Sequence, residues 1–451
     1  MRFLIPIIFL ALSLLAPSCR GKNGTAPQNV PEPAENAARP DSLFIDSVEF
    51  SADGRILVSY PAEKPEWNYL VPSSVVEIAD GAFFGNGHLR SVVLPYSLKK
   101  VGRRAFMDCA SLESIEFPDS VEEIGEEALA GCSSLSGCVF PSGFRIVPDG
   151  MFAGCSSLAS APFPPALDEI GRASFSLCTS IRSVSLPDGI RRIPEKSFLG
   201  CTSLSSVRFP PSVTEIAPYA FDSCVSLSEV RIPKTVSEIG ECAFRKCSGL
   251  RTVIVEPGNP SYRSDDGILL SKNGARLFVY PPGKKAESFS IPIFVTSIEP
   301  SAFAGNGNLK NVSIPAGVEE ISYDAFADCV SLSSVSVSGS VERICAGAFS
   351  GCTSLSSVKI AEGVSEIGAL SFAACENLAE ISLPSSVKKI GSGAFSLCRS
   401  LSALSFAEKK GWFYAPPPGY NRTEIEPSLL SAENFSREDG IFFSEPVERD
   451  F

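Results

Sequence analysis

A 23-residue beat runs through this chain. A large apolar residue sits at the centre of an Ala-Phe-x-x-Cys-x-x-Leu phrase at Phe83, Phe106, Leu129, Phe152, Phe175, Phe198, Phe221 and Phe244, each 23 residues after the last. A second run, Phe303, Phe326, Phe349, Phe372 and Phe395, keeps the same step. A fixed period in the range of about 20–50 residues makes each repeat one turn of a solenoid, which buries its apolar side only against neighbouring turns. The core then grows in one dimension, so a 451-residue chain escapes the usual division into compact domains.

Around Phe221 the unit reads Val213-x-x-Ile216-x-x-x-Ala220-Phe221-x-x-Cys224-x-x-Leu227-x-x-Val230-x-Ile232-Pro233. Its apolar positions fall on mixed steps of two and three, which neither a sustained helix nor a long strand produces. The spacing predicts a short strand at Leu-x-x-Val-x-Ile, a turn, a second extended piece at Val-x-x-Ile, and a tight Ala-Phe corner. Proline follows the strand in nine of the thirteen repeats, where a residue without an N–H can leave the ladder. The expected fold is a mainly β solenoid of about 13 coils in two blocks, with short parallel strands and little regular helix.

This unit resembles the leucine-rich repeats of the BspA-like type, found in many bacterial and some protist surface proteins. The resemblance covers about residues 70–406. It implies a surface protein that adheres to or recognises macromolecules of a host or a neighbouring cell.

Between Phe244 and Phe303 the interval is 59 residues, and the added stretch echoes the start of the array. Asn273-Gly274 through Tyr280-Pro281 parallels Asp53-Gly54 through Tyr60-Pro61, and Gly305-Asn306-Gly307 parallels Gly85-Asn86-Gly87. An Asx-Gly pair beside an apolar run is a hairpin signal. The organisation expected is therefore a signal peptide over 1–18 and a flexible tether over 19–41. Block 1 with its lead-in segment follows over 42–256, then an insertion like that lead-in together with block 2 over 257–406, and a tail over 407–451. The insertion reads as a join between blocks or as a dedicated binding element. The aromatic-rich tail reads as a cap over the last coil or as a ligand-stacking patch.

Arg2, the apolar run Phe3–Leu15 and Ala16-Pro17-Ser18-Cys19 make up the leader. Some 13 apolar residues are too few to cross a bilayer, so cleavage is expected. Cys19 is the expected lipidation site of a lipoprotein exported to the outer membrane or cell surface, with a periplasm-facing or secreted form as the alternative. Eleven of the 15 cysteines lie three residues after a corner residue. Stacked side chains on neighbouring strands run parallel, whereas a disulfide needs converging Cβ vectors. A column of reduced, buried thiols acting as small apolar fillers is the reading.

Fifty-one acidic against 39 basic residues give a charge of −12, which excludes a basic nucleic-acid-binding field. One histidine, His88, leaves little material for acid–base catalysis or a His-rich metal site, and no phosphate-cradling loop occurs; no enzyme, metal or cofactor is expected. Six residues before the corners stand Glu77, Lys100, Glu123, Glu169, Arg192, Glu215, Glu320, Arg343, Glu366 and Lys389, a cross-coil ion ladder. Positions pointing out from the main strand carry the candidate site. There Arg208 and Arg231 share one column, flanked by Arg182 and Arg251 in the next. Like charges about 4.8 Å apart are unfavourable unless an anion lies over them. The expected partner is a protein or anionic glycan outside the cell. The alternative is a structural envelope lipoprotein that associates with itself or assembles a complex.

Overall fold

The structure is a computed structural model that describes residues 42–408 continuously, the strands Trp412–Tyr414 and Val447–Arg449, and residues 430, 431 and 435. Nearly all of these belong to one compact unit, Leu43–Phe451. The leader 1–18, the tether 19–41 with Cys19, and most of the tail lie outside the described residues.

The described elements are strands of two to four residues. They form a solenoid of about 15 turns: the thirteen coils and a lead-in turn before each block. Coils are numbered 1 to 8 for Phe83 to Phe244 and 9 to 13 for Phe303 to Phe395. Each has a two-residue strand before its corner, such as Glu215–Ile216, and all but coil 4 have a main strand, such as Glu229–Ile232 in coil 7. Both pair in parallel one repeat away, as Ser183↔Ser206 and Arg192↔Glu215 show. Proline stands at the turn after the main strand, where its carbonyl accepts a turn hydrogen bond, for instance Val236 N–H to Pro233 O at 3.2 Å. Coil 4 has no main strand, and its sequence there is Ser160-Ala161-Pro162. Proline cannot donate from mid-strand, so the ladder stops at Gly137–Val139 and resumes at Ser183–Ser185.

The corner is a run of tight turns with left-handed residues two before and two after the central side chain. In coil 2 these are Arg104 (φ 55°) and Asp108 (φ 60°). Alternating handedness turns alternate amides the same way. Arg104, Phe106 and Asp108 therefore donate to Glu126, Ala128 and Ala130 of the next coil at 2.9, 2.8 and 2.7 Å. This three-bond rung recurs from coils 1 to 7 and from 9 to 12. Each left-handed residue other than glycine costs about 1–2 kcal/mol, which the rung's hydrogen bonds offset.

Inside, the Phe rings stack. Phe198–Phe221 and Phe221–Phe244 lie 5.4 and 5.6 Å apart with planes within 5° and 4° of parallel. The eleven column cysteines are free and buried. They are more than fillers, because each thiol donates to a backbone carbonyl of the preceding coil. Cys109 bonds Phe83 O at 3.1 Å and Cys375 bonds Phe349 O at 3.3 Å. In coils 1 and 9 an asparagine replaces the cysteine. Asn86 donates to Pro61 O and Ala62 O and accepts from His88 N and Leu89 N; Asn306 accepts from Asn308 N and Leu309 N in the same way.

The two lead-in segments fold alike. In the first, Val48–Ser51 pairs antiparallel with Ile56–Ser59; in the second, Ile268–Ser271 pairs with Arg276–Val279. The Asx side chains brace both turns: Ser51 Oγ to Asp53 Oδ1 and Ser271 Oγ to Asn273 Oδ1 are each 2.7 Å. A further strand precedes each hairpin: Ser42–Ile45 lies beside Val48–Ser51 across Asp46 (φ 49°) and Ser47 (φ 64°), and Tyr262–Asp265 pairs with Ile268–Ser271 across Asp266 (φ 46°) and Gly267 (φ 78°). Ile268–Ser271 is a shared wall: Leu269 faces the core of block 1, while Ile268 and Leu270 face that of block 2. At the far end, Val447–Arg449 pairs antiparallel with Lys389–Ile390, and Phe435 packs edge-on against Phe395 at 6.2 Å.

Candidate binding face

The main strands present a row of outward positions, interrupted at coil 4. Burial alternates along them, as in Ser183–Ser185 (exposed, buried, exposed), so residues seven, eight and ten after each corner face solvent.

Serine dominates this row, and the structure gives it a role the sequence did not show. Ser205 Oγ donates to Arg182 O at 3.0 Å, Ser333 to Lys310 O at 3.0 Å, and Ser356 to Ser333 O at 3.3 Å. These hydroxyls stitch each coil to the one before it. Every such pair is 23 residues apart, which is the signal that could have revealed them.

Arg182, Arg208, Arg231 and Arg251 all lie on the exposed face of coils 5 to 8. Arg208 and Arg231 sit on neighbouring strands, Ser206–Arg208 and Glu229–Ile232. Arg231 is not free: its Nε lies 2.8 Å from Glu229 Oε1 on its own strand. Glu229 thus supplies part of the anionic cover that the column of like charge requires. The guanidinium groups of Arg182, Arg208 and Arg251 have no ion-pair or hydrogen-bond partner among the described residues.

That contrasts with the opposite ladder. Lys100 lies 3.6 and 3.9 Å from Glu77 and Glu123, Arg192 lies 2.8 Å from Glu215, Arg343 pairs with Glu320, and Lys389 lies 2.8 Å from Glu366. The alternation fails at coil 8, where Glu238 stands in register with Glu215. Further cross-coil pairs add to it, among them Lys99–Glu122 at 2.6 Å, Arg103–Glu126 at 2.8 Å and Arg172–Glu195 at 2.8 Å.

A second patch on the face went unread in the sequence. Leu70, Val93 and Val139 occupy the outward column at the N-terminal end and are 69, 54 and 54% exposed, with Trp67 (63%) and Tyr96 (91%) nearby in the chain. Leu70 stands in register with Val93, and Val139 with Glu116. Apolar residues at outward strand positions were the available clue. His88 is exposed in a turn, and among the described residues no cluster of three His, Cys, Asp or Glu side chains is placed to hold a metal.

A parallel-stranded solenoid with a one-residue-wide leucine column and an exposed strand face is a leucine-rich-repeat scaffold. The BspA type leucine rich repeat region matches the chain in six copies, over residues 67–182, 168–264 and 278–402, and the chain belongs to that family. A leucine rich cell surface protein from Faecalibacterium prausnitzii is 25% identical with a TM-score of 0.56, covering 83% of this chain and 96% of that one. A leucine-rich-repeat protein from T. pallidum is 31% identical over 40% of this chain and 86% of its own, with a TM-score of 0.36. One from Bacteroides ovatus is 21% identical, covers 81% and 79%, and has a TM-score of 0.38. No curated protein matches the chain. A scaffold of this family is typically a binding surface and not an enzyme.

Proposed function

We propose that this protein is an exported binding or adhesion protein. Its arginine face, Arg182, Arg208, Arg231 and Arg251, recognises a macromolecular partner bearing carboxylate or sulfate groups. The observation that carries this reading is the contrast in pairing. In a chain with a surplus of acids, the cations of the ladder six residues before the corners are matched one coil away, whereas three of the four face arginines have no partner among the described residues. A planar guanidinium engages carboxylate or sulfate through two parallel N–H donors, and several in a row suit a linear polyanion. The similarity to a cell-surface protein supports export, as does the leader sequence, with Cys19 as the lipid-bearing residue.

Binding of the purified protein to immobilised sulfated or carboxylated polysaccharides and to matrix proteins tests the reading. Arg208→Ser with Arg231→Ser is expected to weaken binding at least tenfold, while Arg192→Ser on the opposite ladder leaves it unchanged. Equal binding by both variants sinks the assignment of this face. Mass spectrometry of the mature N-terminus tests Cys19 separately.

The exposed Trp67–Leu70–Val93–Tyr96 end favours a second reading, in which the partner is a protein that covers an apolar surface. Trp67→Ser with Leu70→Ser distinguishes it, because it would abolish that binding and leave polyanion binding intact.

A further inference from the structure

The corner rung is missing at one interior place. By the rule of every other coil, Cys242, Phe244 and Lys246 of coil 8 should donate to Pro300, Ala302 and Ala304 of coil 9. None of these bonds forms. Ala302 O is taken by Tyr280 N–H at 2.8 Å, because the lead-in turn of block 2 fills that slot, and Tyr280 stacks on Phe303 at 5.0 Å as Tyr60 does on Phe83. The corners nonetheless stay close: Cys242 Sγ lies 3.2 Å from Ser301 Oγ, and a Cβ on Gly305 would come within 3.3 Å of Lys246 Cα. Between them lies a cavity of about 80 Å³ whose lining includes Cys242, Phe244, Arg276, Val279, Glu299 and Ser301.

At the corner itself charge stands in for the missing rung, while a hydrogen bond from Gly283 N–H to Leu250 O at 2.7 Å joins the lead-in turn of block 2 to coil 8. Arg245 reaches Asp222 in coil 7 at 3.5 Å and Asp324 in coil 10 at 3.4 Å. Lys246 reaches Asp328 in coil 10 at 2.8 Å. Both contacts to coil 10 pass over coil 9, whose corner, Ala302-Phe303-Ala304-Gly305, carries small residues on either side of the phenylalanine. The hydrophobic core is also split here: the two clusters meet along the hairpin strands Ile268–Ser271 and Arg276–Val279, with Leu269, Phe278 and Val279 packed toward block 1 and Ile268, Leu270 and Leu277 toward block 2.

We propose that this seam is a hinge built into the solenoid, held closed by the Arg245 and Lys246 clamp and turning about the shared hairpin of Ile268–Ser271 and Arg276–Val279. In a stack whose cohesion is a sum of neighbour terms, the interface lacking its rung opens first. Opening would rotate the strand face of block 2 away from that of block 1, beginning at Arg251, which lies in the seam coil. An ion clamp is weakened by salt, so opening is sensitive to ionic strength in a way that rung-bonded interfaces are not.

Hydrogen exchange of the full chain reads the rung directly. The amides of Cys242, Phe244 and Lys246 are expected to exchange at least a hundredfold faster than those of Tyr219, Phe221 and Ser223, which occupy the same positions one coil earlier. Arg245→Ala with Lys246→Ala, and separately 0.5 M salt, should speed the exchange further. Ser301→Cys, oxidised with diamide to join Cys242, should slow it and narrow the spread of dimensions in solution scattering; reduction should restore both. Equal exchange at coils 7 and 8, or scattering that the cross-link leaves unchanged, overturns the hinge. Should the clamp variant fail to fold, the cross-linked and reduced forms of the single variant decide the question.

Discussion

The thiol of Cys224 donates to the backbone carbonyl of Phe198, 3.2 Å away and 26 residues upstream. Repeated down the array, this bond ties each coil to the one before it, as a second donor to a carbonyl that already accepts a turn hydrogen bond from Cys201 N–H at 3.2 Å. It accounts for cysteine in preference to alanine or valine at the position, since a small apolar side chain would fill the space but forgo the side-chain bond between coils. It also accounts for asparagine in coils 1 and 9, where Asn86 Nδ2 donates to the Pro61 and Ala62 carbonyls of the lead-in turn.

These thiols are expected to be inert. Burial pushes Cys109, Cys155, Cys201 and Cys329 up to about 12 from an ordinary 9.0. A thiol-specific chromogenic reagent at pH 8 should therefore titrate almost none of the column in the folded protein and all of it in denaturant. Rapid labelling of the native column would contradict the buried hydrogen bond.

The same shift dictates an alkaline limit. A folded-state value raised above the unfolded one adds stability that is complete below about pH 9 and is lost as pH climbs toward 12, because the unfolded thiol ionises first. Each column thiol contributes a fall of about 1.4 kcal/mol per pH unit across that window. Denaturant melts at pH 8, 9 and 10 should show the decline, and a Cys201→Val variant should decline less steeply. Melts that do not move between pH 9 and 10 would refute it.

The ring column predicts a graded response at the corner. Phe221 is fully buried between two parallel rings. Phe221→Ala should cost about 3–5 kcal/mol, and Phe221→Leu less than about 1.5 kcal/mol, since Leu129 already occupies the same position in coil 3. Equilibrium unfolding distinguishes the two; similar costs would mean that ring stacking, and not volume, decides the position.

The ion ladder should matter little one pair at a time. Arg192 is more than half exposed and pairs with Glu215 at 2.8 Å. Arg192→Ala is expected to cost less than about 1 kcal/mol, and less again in 0.5 M salt. A larger, salt-independent loss would show that the side chain packs as well as pairs.

The solenoid was legible because its cause is periodic: one apolar column repeated at 23 residues admits few other folds. What escaped were features that depend on direction. Composition marks serine at 205 and 333 as outward, but only the folded chain shows the hydroxyl turned back to the preceding coil. The cysteine column was read as filler because a residue letter does not show that Phe198 O lies within reach of a thiol. Arg231 was grouped with its neighbours because the pattern compared like positions between coils and passed over Glu229, two residues away on the same strand. The apolar end at Leu70 and Val93 was missed because an alternating pattern was assumed to place polar residues outward everywhere.

The central claim concerns the arginine face, and one comparison tests it most directly. Binding of the wild-type protein and of Arg208→Ser with Arg231→Ser to the same immobilised sulfated polysaccharide should be measured at 0.15 and 0.5 M salt. The account predicts at least a tenfold weaker interaction for the variant at low salt, and a difference that shrinks at high salt as screening removes the charge contribution. Equal affinities at low salt, with the variant folded to the same melting temperature, would contradict it.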